Sequence, residues 1–111
     1  MIHLLTSPVT TQQLAEMLDA LEDYIKLAVD IEREVVAGGG ELHADCESAL
    51  LANGSKQEDV WGADWEPLIR EVRFESFINI RPRQNNPSMA ILDSAIRSRV
   101  ETIVKKLFEN V

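Results

Sequence analysis

Residues 25–32 read Ile-Lys-Leu-Ala-Val-Asp-Ile-Glu, and this stretch decides the fold class. Apolar residues at the odd positions alternate with polar or small residues at the even ones, and three of the four odd positions are β-branched. Alternation with a period of two predicts a strand. The stretch also continues a helical stripe from upstream, so a longer first helix is the alternative (Leu14, Leu18, Leu21, Ile25 and Ala28). We take residues 25–32 as a strand.

Downstream of this strand, the pattern predicts a tight turn and then a second strand over Val35–Ala37. The glycines at 38–40 open the backbone, and helical spacing follows over residues 43–53, with Gly54 where a helix C-terminal glycine belongs. Two further strands are predicted, over Val60–Trp65 and Val72–Ile80, and the second shows the clearest alternation in the chain.

The two ends of the chain complete the sequence of elements. Residues 2–5 predict a strand, and Thr10 with Gln13 has the spacing of a capping box that opens a helix. Asp93 is a good N-cap for the final helix, which carries an apolar stripe (Ile96, Val100, Ile103, Val104 and Leu107). The predicted order is β-α-β-β-α-β-β-α: a single α+β domain over residues 1–111, with helices packed on a mainly antiparallel sheet.

Charge and composition exclude several classes of protein. The net charge of −8 argues against the phosphate attraction that dominates nucleic-acid binding. Residues 1–68 hold 14 acidic and 3 basic residues, whereas residues 69–111 hold 5 and 8, which favours complementarity within the fold or between copies in a homo-oligomer. No run is long and apolar enough for a signal or a membrane helix, and the single cysteine, Cys46, favours a cytoplasmic location.

Acidic residues and one histidine surround the glycines. Asp30 and Glu32 lie on the same side of their strand, and Glu41, His43 and Asp45 follow the glycines. Carboxylates with an imidazole suit a divalent cation or a small ligand, while favourable acids at a helix N-terminus with a hydrogen-bonded histidine are the structural alternative. The glycines match neither the dinucleotide fingerprint nor the phosphate-binding loop, which indicates a close backbone crossing.

Arg81 and Arg83, near Asn79, form the second candidate cluster. An arginine fork binds carboxylate or phosphate, and the internal acids are equally good partners for it. Because polar groups inside apolar strands are costly unless paired, we expect Arg81 to converge with Asp30, Glu32, Glu41 and His43.

The cysteine and the two tryptophans are expected to have mainly structural roles. Cys46 lies on the apolar stripe of its helix, so we expect a buried packing residue and not a nucleophile. Trp61 and Trp65 face the same side of a strand, and we expect one in the core and the other partly exposed, where it would mark a partner surface.

Four strings resemble a family of short bacterial proteins known as a domain of unknown function: VDIEREVVAGGGELHADCE, NGSKQEDVWGADW, FINIRPRQNN and IR..VETIVKKL. The resemblance runs from about Ile25 to the end of the chain and implies a small cytosolic domain without an assigned activity. The chain departs from the family pattern in its third glycine, Gly38, and in lacking a glycine after Arg33.

Two functions follow as hypotheses. The first is a small-molecule or divalent-metal-binding domain, with catalytic residues and cofactor unassigned, whose polar site uses Asp30, Glu32, Glu41, His43, Asp45, Asn79 and Arg81. The second is a non-enzymatic interaction module that works as a homo-oligomer or as a partner-binding subunit. A polar pocket favours the first hypothesis, and a flat apolar patch around the tryptophans favours the second.

Overall fold

The computed structural model describes residues 1–111, and a five-stranded antiparallel sheet forms its centre. The elements are β1 (His3–Leu5), α1 (Thr11–Leu18), β2 (Ile25–Asp30), β3 (Val35–Gly40), α2 (His43–Ala52), β4 (Val60–Glu66), β5 (Glu71–Arg73) and α3 (Ser94–Phe108). The strands lie in the order β1-β3-β2-β4-β5. The predicted α+β class and element order are confirmed, and residues 25–30 form a strand, not an extension of α1.

Helices cover both faces of the sheet. On one face α1 and α3 bury the odd-numbered residues of β2 and β4 together with the stripe of α3, in which Val100, Val104 and Phe108 are fully enclosed. On the other face α2 packs Cys46 and Leu50 against small and β-branched strand residues (Ala28, Val35, Ala37 and Val60). The alternation seen in the sequence therefore separates two apolar clusters across one sheet.

The helix ends form as their sequence signals predict. Thr10 and Gln13 make both hydrogen bonds of the capping box at α1, and the Asp93 carboxylate accepts from the N–H groups of Ala95 and Ile96 at α3. Gly54, just past α2, has φ of +102°, the left-handed region that glycine adopts without strain.

The glycine-rich end of β3 contains a bulge. Lys26 is paired with Gly40 and Leu27 with Gly38, so Gly39 is the extra residue of β3. Its φ is +102°, and a Cβ there would overlap the Met1 carbonyl oxygen, so both conformation and space require glycine. The close backbone crossing expected from the sequence is therefore present, and it leads the chain into α2.

The predicted strand over Val72–Ile80 is wrong beyond its first residues. β5 ends at Arg73, and a 3-10 turn forms over Phe77–Asn79, opened by the Ser76 hydroxyl accepting from an N–H group. Side chains then replace the missing strand along β4. The Asn79 amide accepts from the Gly62 N–H at 2.8 Å and donates to its carbonyl at 3.0 Å. The local bond at Ser76 and the Asn79 bonds to the distant Gly62 backbone have outcompeted strand alternation.

Both tryptophans are buried, each 1% exposed, so the partly exposed one that the sequence led us to expect is absent. Trp65 packs against Phe108 with ring centroids 5.8 Å apart. None of the three helices combines the length and the apolar composition needed to cross a bilayer.

Candidate functional site

Asp30 and Glu32 do not share a site. Asp30 is fully buried at the end of β2, where its Oδ1 accepts from the backbone N–H groups of Glu32 and Arg33, both at 2.9 Å, and so holds the β2–β3 turn. Its Oδ2 is buried without a partner. The Glu32 side chain is exposed and pairs with Arg99 of α3 at 3.2 Å.

Arg81 is committed to the protein itself. All five guanidinium N–H groups have an acceptor: the carbonyl oxygens of Gln57, Val60 and Ile78 and the side chains of Glu47 and Gln84. The guanidinium lies 4.7 Å over the Trp61 ring, and burial lowers its pKa while the Glu47 carboxylate opposes that shift. The network expected with Asp30, Glu32 and Glu41 is not formed.

A cavity of about 590 Å³ lies beside Arg81 and is rimmed by the exposed Phe77 and Ile80. Since all the N–H donors of Arg81 are used within the protein, its guanidinium has none left to bind a ligand in this cavity. Asn79 is also fully used, because its Nδ2 donates to the carbonyls of Gly62, Phe74 and Met89. Both residues hold the segment that follows β5 against β4.

Among the predicted residues, His43 keeps one ring nitrogen without a hydrogen-bond partner in the protein. It is the first residue of α2, and its Nε2 lies 2.8 Å from Asp64 Oδ1 and 3.1 Å from the Ala63 carbonyl oxygen. Both neighbours are acceptors, so Nε2 carries a proton, and in the neutral imidazole the lone pair is on Nδ1. Nδ1 forms no hydrogen bond, and it is not among the buried atoms that lack a partner. It therefore keeps some exposure to solvent, although the His43 side chain as a whole is only 11% exposed.

Three neighbouring strands build the floor beneath His43. Lys26 of β2 is directly opposite Asp64 of β4, which is directly opposite Arg73 of β5. Directly opposed residues present their side chains on the same face, so a cation lies on each side of the carboxylate. Asp64 is 7% exposed, and its Oδ2 lies 3.7 Å from Arg73 Nε. The carboxylate thus holds the imidazole with one oxygen and faces the guanidinium with the other.

These groups line a cavity of about 380 Å³ together with Tyr24 and with residues from the segment after β5. The complete lining is Tyr24, Lys26, His43, Asp64, Arg73, Glu75, Ser76, Phe77 and Met89. The Arg73 guanidinium stacks over the Tyr24 ring at 5.1 Å, and its Nε pairs with Glu66 at 2.6 Å. We call this the His43 cavity. It combines an oriented imidazole, two cations and an aromatic wall.

The remaining predicted residues lie outside this arrangement. Glu41 and Asp45 flank the start of α2 on the exposed surface and form no ion pair. No group of three or more His, Cys, Asp or Glu side chains is arranged to hold a metal ion. Cys46 is fully buried, as expected, and burial raises the pKa of its thiol, with the nearby Asp45 charge adding to the shift.

Sequence reasoning missed Lys26, Asp64 and Arg73 as site residues. A signal for Asp64 was present, because it is a charged residue within the apolar strand sequence WGADW. Such a residue needs a partner when the strand is buried. The partner, His43, lies 21 residues away in the chain, and only the packing of α2 on the sheet joins them.

The fold and the His43 cavity define a small α+β domain in which one carboxylate-paired histidine lines a cavity. The model of a family described as protein of unknown function, DUF5674, matches residues 3–107, and the chain belongs to that family. This confirms the expected membership in a family of uncharacterised proteins. No curated protein and no solved structure gives a significant match.

Proposed function

We propose that the protein binds a small polar molecule in the His43 cavity and that His43 exchanges a proton with it. The carrying observation is the geometry of the imidazole: His43 lines the cavity, its Nε2 is 2.8 Å from Asp64 Oδ1, and its Nδ1 has no hydrogen bond within the protein. A carboxylate that holds one ring nitrogen fixes the tautomer and orientation, which is how a general base is prepared in proteins. The proposal retains small-molecule binding from the first sequence hypothesis and does not retain divalent-metal binding.

A natural control lies in the same chain. The other histidine, His3, also points its Nε2 at a carboxylate, Glu16 Oε1 at 2.9 Å. It lines none of the cavities described above. A ligand in the His43 cavity should therefore perturb His43 and leave His3 unchanged, although both imidazoles have the same local pairing.

Long-range ¹H–¹⁵N NMR spectra of the two imidazoles test the proposal. The neutral form of His43 should show the Nε2–H tautomer, and a screen of small polar compounds should include some that shift the His43 signals and not those of His3. Asp64→Asn should weaken the tautomer preference, since an amide can present either a donor or an acceptor to Nε2. A predominant Nδ1–H tautomer, or no compound that moves His43 selectively, contradicts the proposal.

The alternative, an interaction module, loses the surface it was expected to use, because Trp61 and Trp65 are both in the core. Homo-oligomer formation stays a prediction from the charge asymmetry. A cytoplasmic location also stays a prediction, and it fits a free thiol at Cys46.

A further inference from the structure

The His43 cavity contains more hydrogen-bond donors than the protein itself uses. Lys26 forms no ion pair and no side-chain hydrogen bond, although it is only partly exposed. Arg73 makes its ion pairs through Nε, and neither Nη nitrogen has a partner. Lys26 and Arg73, which both line the cavity, thus carry three ammonium and four guanidinium protons that bond to no protein group, and the Arg73 side chain is 49% exposed.

The carboxylates nearby do not compensate for these donors. Asp64 is engaged by His43 and Arg73, and Glu66 is engaged by Arg73. Glu75 is the one acid on the lining without an ion pair, and it is exposed, as Arg73 is, so solvent screens both charges. In a chain of net charge −8, two cations with unused donors facing one cavity are a local exception to the overall potential.

We infer that the ligand of the His43 cavity carries an oxyanion, a carboxylate or a phosphoryl group, which Lys26 and Arg73 bind from opposite sides of Asp64. This rests on the proposed function of the same cavity. The planar Nη pair of Arg73 matches two oxygens of such a group, and Lys26 adds a point charge. The anion fixes the ligand beside His43, and Nδ1 accepts a proton or hydrogen bond from another part of the same molecule.

Pairs of probes that differ mainly in charge test this inference. We would titrate the full chain with acetate and acetamide, with benzoate and benzamide, and with inorganic phosphate at constant ionic strength, and follow the backbone and imidazole NMR signals. Acetate, benzoate or phosphate should shift His43 together with residues of β5, and the amides should bind at least about tenfold more weakly, the size expected for lost charge-assisted hydrogen bonds. A preference for phosphate over the carboxylates would identify the phosphoryl group as the source of the oxyanion.

Variants separate a site from general charge attraction. Lys26→Met and Arg73→Gln should each raise the Kd of the preferred anion about tenfold, and Arg73→Lys should recover part of that loss if Arg73→Gln unfolds β5. Lys56→Met and Arg83→Gln remove exposed charges outside the His43 cavity and should leave the Kd unchanged. An equal loss in all four charge-removing variants means nonspecific attraction and overturns the inference.

The two levels of the proposal fail differently. If neutral amides shift His43 as strongly as their acids do, the oxyanion inference is wrong while small-molecule binding in the cavity stands. If no probe, charged or neutral, moves His43 relative to His3, both are wrong.

Discussion

Replacing Arg81 with alanine should destabilise the protein without affecting the His43 cavity. The side chain is 9% exposed, and its Glu47 partner is 13% exposed. Alanine leaves that carboxylate unpaired and removes donors from three backbone carbonyls, those of Gln57, Val60 and Ile78. Breaking a buried ion pair by removing one partner costs about 3–5 kcal/mol. Because Gln57 and Glu47 retain some contact with water, we expect the lower end, about 3 kcal/mol.

Denaturant unfolding followed by circular dichroism measures this cost. Arg83→Ala is the matched control, because Arg83 is exposed two residues away and should change the unfolding free energy by no more than about 0.5 kcal/mol. Adding Glu47→Gln to Arg81→Ala should recover part of the loss, since the double variant no longer buries an unpaired charge.

The opposite outcome would refute the structural role. If Arg81→Ala unfolds at the wild-type denaturant concentration but alters the response of the protein to phosphate or carboxylates, the guanidinium binds ligand and its internal contacts are incidental. A loss of stability together with unchanged His43 signals in the folded protein is the result that the geometry requires.

Three further predictions concern the core and the edge of the sheet. Asn79→Ala should lower the unfolding free energy by about 3 kcal/mol, because the Gly62 N–H and three carbonyls lose buried partners; a melting temperature within a degree of wild type would show that water replaces the amide. Val100→Asp should cost about 3 kcal/mol or more by burying an unpaired charge, and a folded variant of unchanged melting temperature would contradict the packing of α3. Cys46 should label slowly with thiol reagents in the native state and quickly when unfolded. Its folded pKa lies above the ordinary value of 9.0, so its contribution to stability is complete below pH 9 and is lost as the pH rises further. Wild type should therefore lose stability relative to Cys46→Ala above pH 9, by at most about 1.4 kcal/mol per pH unit, and parallel curves would show that the thiol ionises equally in both states.

Local patterns in the sequence were sufficient for most of the fold. Alternation identified β2, the capping box and Asp93 located the starts of α1 and α3, and the glycines indicated the close backbone crossing at the end of β3 and the end of α2. Each of these signals acts over a few residues, through side-chain direction, a cap hydrogen bond or a left-handed φ. It can therefore be recognised in the sequence without knowing which segment packs against the element.

What only the tertiary structure decided is which polar groups meet. The alternation over Val72–Ile80 is a genuine strand pattern, but the β4 edge at Gly62 offers Asn79 a pair of backbone bonds that a continuing strand would forgo. Arg81 was predicted to pair with acidic side chains, yet most of its acceptors are backbone carbonyl oxygens. His43 was singled out by its neighbours in sequence, whereas its hydrogen-bond partner is Asp64, which it contacts because α2 packs on the sheet. Hydrogen bonds between distant segments are set by packing geometry, and no local period or spacing encodes that geometry.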